Sequence, residues 1–212
     1  MAAVQTVLVV DDHPVMRAGL AIMLEGTREL KLAAEAGTAA EARVAVEKFR
    51  PGLVVLDLLL GGGDGVPLIA DLLALHPEAR ILVYSSLDEN IYARRALRAG
   101  AFGYLMKSEN LETVREALRE IARGRRAMSP AVRRSLVAES LGGEQPTLER
   151  LSDRELQVLR LVSGGLTLGE IAKELNLSVK TVGGYRERLK TKVGVDTARE
   201  LARRAAGFLD AP

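Results

Sequence analysis

Residues 6–12 read TVLVVDD and residues 53–57 read LVVLD. Both are short, almost wholly apolar runs that end on carboxylates. A strand exposed on one face alternates apolar and polar residues. A strand covered on both faces does not, and such strands belong to parallel sheets with helices packed on each side. Outward from this pair the pattern repeats, with LKLAAEA at 30–36, ILVY at 81–84 leading into Ser85, and GYLM at 103–106 leading into Lys107. Residues 14–24, 38–49, 66–76, 90–99 and 111–123 lie between or after these runs and carry apolar residues at helical spacing. Five β-α units predict an α/β domain with a doubly wound, five-stranded parallel sheet over residues 1–124.

Beyond that stretch the period is lost. Residues 125–147 run from RRAMSP through a short helix-compatible segment to LGGEQPT, glycine and proline punctuation that reads as a linker. Three segments then open with a hydroxyl residue and a glutamate three positions on: Ser152 with Glu155, Thr167 with Glu170, Thr197 with Glu200. This spacing lets each side chain satisfy a backbone N–H of the other at a helix start. With a further helix beginning at Ser178, residues 148–212 predict a smaller, all-α domain of four helices.

Composition separates the halves. Residues 1–123 hold 14 Lys and Arg against 17 Asp and Glu, and the remainder holds 16 against 11, so a mildly acidic front precedes a basic rear suited to a polyanion. Apolar residues make up 48% of the chain and aromatics 3%, which builds cores of Leu, Val, Ala and Ile. The absence of cysteine excludes a disulfide framework and fits a cytoplasmic protein. No apolar run approaches the length of a membrane span, and neither a membrane segment nor a signal peptide is expected.

In an open parallel sheet, ligands bind beyond the carboxyl ends of the strands. The residues falling there are Asp11, Asp12, Asp57, Ser85 and Lys107. Carboxylates suit a hard divalent cation such as Mg2+. A carboxylate beside such an ion is a phosphoryl acceptor, with the lysine and the hydroxyl available to the phosphoryl oxygens. The stretches VVDDHPVMRAGL, VVLDLLLGGGDG, YSSLDE and AGAFGYLMK resemble the receiver domain of two-component response regulators, a flavodoxin-like fold, and the resemblance spans all five β-α units. It implies that Asp57 accepts phosphate from a sensor histidine kinase. It further implies that Asp12, Asp57 and the backbone carbonyl of Leu59 hold Mg2+, with Asp11 assisting through water. Ser85 and Lys107 then clamp the phosphoryl group, and Tyr104 is an aromatic switch whose ring turns inward when Ser85 moves. One departure is the LGGGDG run, where the family usually has Met-Pro. No Lys-Ser/Thr follows it, which excludes a nucleotide cradle and leaves a supple connection. His13, next to the acidic pair and followed by Pro14, reads as a helix-entry residue.

LSDRELQVLRLVSGGLTLGEIAKELNLSVKTV, with the later KVGV, resembles the helix-turn-helix DNA-binding domain of the NarL/LuxR family over about residues 151–206. On a helical wheel Val182, Leu189 and Val193 form one buried stripe, and Lys180, Gly184, Glu187 and Thr191 point away from it. Positions 183, 184 and 187, which often carry base-contacting side chains in this family, are here Gly, Gly and Glu. The groups expected to meet double-stranded DNA are Ser178 at the helix start, Lys180, Thr181, Tyr185, Arg186, Arg188, Lys190 and Lys192. Glu187 either accepts from a cytosine amino group or pairs with Lys190. Residues 197–209 offer an amphipathic dimer surface. The reading is a non-enzymatic regulator whose phosphorylation controls DNA binding and transcription, acting as a homodimer when phosphorylated. The alternative is a phosphorelay or protein-interaction regulator with weak, sequence-nonspecific DNA binding.

Overall fold

The computed structural model describes residues 4–61, 63–140 and 147–209. They form two units, divided after Ser140. In the first, β1 (Gln5–Val10), α1 (Pro14–Glu25), β2 (Leu30–Ala36), α2 (Ala39–Phe49) and β3 (Leu53–Leu56) are followed by the short pair β4 (Leu59–Leu60) and β5 (Gly63–Asp64). Then come α3 (Val66–Leu75), β6 (Arg80–Ser85), α4 (Glu89–Arg98), β7 (Gly103–Met106), α5 (Leu111–Ala122) and α6 (Pro130–Ser140). The five long strands pair in parallel in the order β2-β1-β3-β6-β7. This is the strand order of the doubly wound flavodoxin-like fold, whose switch point lies between β1 and β3.

The apolar runs are buried as their composition demands. Val7 to Val10, Leu53, Val54, Leu56 and Ile81 to Val83 are fully covered, between α1 and α5 on one face and the remaining helices on the other. Helix starts follow local chemistry. Thr38, Asp88 and Asn110 each accept a backbone N–H of the first turn of α2, α4 and α5, and proline stands in the first turn of α1 and α3.

Two segments differ from expectation. The glycine-rich run after Asp57 is no slack connection: β4 and β5 pair antiparallel as a small hairpin, and Gly62 lies outside the described residues. Gly61 takes a left-handed φ of 58° there. Gly65 is required by closeness, since a Cβ would lie 2.7 Å from Leu58 Cα. The stretch read as linker contains α6, which packs on α4 in the first unit. Its glycine and proline punctuation at 141–146 lies outside the described residues.

The second unit has a 3-10 turn (Thr147–Arg150), α7 (Asp153–Ser163), α8 (Leu168–Glu174), α9 (Val179–Val193) and α10 (Ala198–Leu209). Its core is Leu148, Leu151, Leu156, Leu159, Ile171, Leu175, Val182, Leu189, Val193, Leu201 and Ala205. Reciprocal capping boxes form at Ser152 with Glu155 and at Thr167 with Glu170. At Thr197 the hydroxyl accepts from Glu200 N–H at 3.2 Å, while the Glu200 carboxylate faces Arg203. No helix among the described residues is long and apolar enough to cross a membrane.

Candidate functional site

The carboxyl ends of β1, β3, β6 and β7 bring five predicted residues together. Asp57 is 1% exposed and Ser85 fully buried. The Ser85 hydroxyl donates to Asp57 Oδ1 at 2.7 Å, and the backbone N–H of Leu59 donates to the same oxygen at 3.1 Å. Lys107 Nζ stands 2.7 Å from Asp57 Oδ2 and 2.7 Å from Asp11 Oδ2, so one ammonium bridges two buried carboxylates. Burial alone would lower the pKa of Lys107, but these two carboxylates outweigh it and hold the ammonium above its ordinary range. Arg17 donates to the Asp11 carbonyl at 2.7 Å, fixing the end of β1.

Asp12 is held differently. Its Oδ2 accepts the backbone N–H of Gly61 at 3.0 Å, across 49 residues of sequence, so the β4-β5 hairpin grips the acidic pair. Its Oδ1 is buried without a hydrogen bond; His13 Nδ1 lies 2.7 Å away without satisfying hydrogen-bond geometry. His13 is the residue before α1, as expected of a helix-entry position. Oxygen atoms of Asp11, Asp12 and Asp57, with His13, lie within 4.8 Å of one another. Three carboxylates, one of them with an orphaned oxygen, are a donor set that fits a hard divalent cation.

Tyr104 does not touch the carboxylates. Its ring is fully buried and its hydroxyl donates to the Leu87 carbonyl at 2.7 Å, in the loop that follows Ser85. Burial pushes that phenol well above its ordinary range, so it remains a donor. The ring is therefore inward in a structure in which Ser85 is already turned to Asp57.

In the second unit α9 buries Val182, Leu189 and Val193, the stripe the wheel predicts, while Lys180, Arg188 and Lys192 are exposed and Arg186 and Lys190 are half-buried. Ser178 accepts from Thr181 N–H at 3.0 Å and caps the helix. Gly183 and Gly184 are helical, and a Cβ at either meets nothing closer than Arg188 Nη1, 3.7 Å from position 184. Nothing in the fold requires glycine there. Glu187 pairs with Lys190 at 2.6 Å, which settles its contact within the helix as the ion pair. Arg188 stacks over the Tyr185 ring at 4.6 Å.

Sequence reasoning took Glu155 for a cap and missed its second contact. Glu155, 3% exposed, receives Lys192 Nζ at 2.7 Å and lies 3.8 Å from Arg188 Nε. It ties α9 to the start of α7 and holds Lys192 partly away from solvent. The Gly61 and Leu59 N–H groups were also missed. The one legible hint was a glycine placed where a left-handed turn follows Asp57.

A doubly wound sheet with buried carboxylates at its switch point, in one chain with a helix-turn-helix unit, defines the response regulators. Residues 7–119 match the response regulator receiver domain, and residues 149–205 match the luxR family of bacterial regulatory proteins. The chain belongs to the NarL/LuxR family of two-component response regulators. It is 36% identical over 198 residues to the DNA-binding transcriptional activator DevR/DosR of Mycobacterium tuberculosis, covering 92% of this chain and 91% of that one. It is 31% identical over 209 residues to the response regulator GacA of Pseudomonas aeruginosa, covering 97% and 98%. Among solved structures, RcsB from Salmonella enterica serovar Typhimurium bound to a promoter in the presence of the phosphomimetic BeF3- is similar at a TM-score of 0.71 and 26% identity, covering 96% of this chain and 98% of that one.

Proposed function

We propose that Asp57 accepts a phosphoryl group from a sensor histidine kinase and that this event controls binding of α9 to double-stranded DNA, and through it transcription. The observation that carries the reading is the bridged pair: a buried carboxylate with a lysine on one oxygen and a serine hydroxyl on the other. An Asp57 oxygen attacks phosphorus, the bond to the donor's nitrogen breaks, and an acyl phosphate forms on Asp57. Lys107 and Ser85, now on the carboxylate oxygens, take up the phosphoryl oxygens. Asp11, Asp12, Asp57 and the Leu59 carbonyl would hold Mg2+, which neutralises charge on the phosphoryl group when bound. Ser178, Lys180, Thr181, Tyr185, Arg186, Arg188, Lys190 and Lys192 form the DNA face. The phosphorylated form pairs as a homodimer, placing two α9 helices on successive half-sites. The protein acts in the cytoplasm as a regulator rather than as an enzyme.

The test is mass spectrometry after incubation with acetyl phosphate and Mg2+. The intact chain gains one phosphoryl group, and Asp57→Asn gains none; a persistent gain in the variant overturns the assignment. Selection from a random duplex pool, with and without phosphodonor, decides between sequence readout and the nonspecific alternative, which Gly183, Gly184 and the paired Glu187 favour. If binding is nonspecific, Gly184→Lys creates a sequence preference.

A further inference from the structure

The chain after α5 turns back along the free edge of the sheet. Ala127 pairs with Gly103 of β7 in a parallel bridge, and its carbonyl accepts the backbone N–H of Tyr104 at 2.8 Å. The approach is tight enough to exclude a side chain at Gly103, whose Cβ would lie 2.5 Å from the Ala127 oxygen. Ser129 then caps α6, accepting Val132 N–H at 3.2 Å, and its hydroxyl donates to Glu89 in the first turn of α4 at 2.8 Å. Val132 is 2% exposed, whereas Val137 on the same helix is 56% exposed.

This segment closes a chain of contacts that starts at the acceptor. Asp57 holds the Ser85 hydroxyl. Ser85 Oγ also lies 3.5 Å from Leu87 N, and Leu87 offers its carbonyl to the Tyr104 hydroxyl. Tyr104 gives its backbone N–H to Ala127, and residue 129 returns to α4, the helix that follows Leu87. The two sides of the β6-α4 loop are thus pinned, one by the carboxylate and one by the segment beyond α5. β7 is an edge strand, and Ala127 gives its Tyr104 N–H a partner on the free side of the sheet.

We propose that residues 127–137 are a positioning element for phosphoryl acceptance: docked on β7 and α4, they hold Tyr104 inward and Ser85 on Asp57, and phosphoryl occupancy tightens their docking in return. The inference rests on Asp57 being the acceptor. The coupling is reciprocal, because two events that favour the same arrangement of the loop must strengthen each other by the same factor.

The experiment uses the full chain, beryllofluoride with Mg2+ as the phosphoryl stand-in, and hydrogen exchange of the amides of residues 127–137. Beryllofluoride slows that exchange by about tenfold in the parent protein, and Val132→Asp, which undocks α6, weakens beryllofluoride binding by the same factor. Val132→Ile restores the affinity and Val137→Asp leaves it unchanged, a split that a general loss of packing would not give. If circular dichroism shows that Val132→Asp fails to fold, Ser129→Ala decides instead, with about a threefold loss. Exchange that is indifferent to bound beryllofluoride overturns the linkage alone, as does unchanged affinity in a variant whose segment exchanges freely. Failure of the parent protein to bind beryllofluoride at all overturns the acceptor reading and the linkage together.

Discussion

The two units treat charge in opposite ways. In the first, Asp11, Asp57 and Lys107 are drawn inside from separate strand ends and are nearly enclosed. In the second, the cations of α9 are exposed or half-buried, and most have a nearby acid: Lys190 with Glu187, Lys192 with Glu155, Arg188 at 3.8 Å from Glu155 and Arg186 at 3.6 Å from Glu187. Among the described residues Lys180 is the one of these five without an acidic partner. A buried charge is set by topology and is costly to disturb. A surface charge is set by its near neighbours and can be exchanged for another at little expense in stability.

The largest effect is expected where the contrast is sharpest. Lys107→Ala leaves two buried carboxylates facing each other, and urea unfolding in a chelating buffer should show a loss of about 3 kcal/mol. Added Mg2+ recovers part of that loss; a variant as stable as its parent in the chelator would contradict the bridged-pair account. Glycines sharpen the same comparison. Gly65→Ala forces backbone at Leu58 to move and is expected to cost about 1 to 3 kcal/mol. Gly183→Ala, in an open helical position, is expected to stabilise the second unit by about 0.8 kcal/mol. Thermal melts of the two variants should move in opposite directions.

Glu155 is the acid of the second unit that behaves like one of the first. Burial alone would raise its pKa, but Lys192 and the hydrogen bonds from Ser152 outweigh it, so the carboxyl lies below its ordinary value of 4.5. The folded form then binds the proton less readily than the unfolded chain. Its contribution is complete above the unfolded value and is lost as pH falls through the lower, folded one. Glu155→Gln should flatten the melting temperature of the second unit below about pH 4.5, and an unaltered acid limb would count against the Lys192 contact. The smallest expected effect concerns DNA: Lys180→Ala should reduce the salt-dependence slope of binding by about 1, and Lys190→Ala by less, since part of its charge is already met by Glu187.

What was legible in the sequence follows from this division. Asp11, Asp57, Ser85 and Lys107 were placed correctly because each ends a fully apolar run, and a parallel sheet puts such ends on one edge. Val182, Leu189 and Val193 were legible because a helix repeats its face. The contacts that were not legible run through the backbone or across long separations. Gly61 holds Asp12 with a backbone N–H, and its being glycine hints at the left-handed turn without announcing the bond. Glu155 matched a local capping pattern so well that its bond to Lys192, 37 residues away, had no separate signature. The 127–137 segment gave only a weak apolar signal, because Ala127 docks by its carbonyl and Val132 is its one deeply buried side chain among those described.

The separations that join the acidic pocket carry a consequence for how the chain acquires its function. Ser85 reaches Asp57 across 28 residues, Gly61 reaches Asp12 across 49 and Lys107 reaches Asp57 across 50. The caps of the second unit span three. Contacts of high sequence separation form late in folding. The helical unit can acquire its caps locally, while no fragment of the first unit that lacks β7 contains the Lys107 bridge. On the proposed reading, phosphoryl acceptance at Asp57 would therefore double as a report that the sheet has been completed, since its lysine arrives with the last strand.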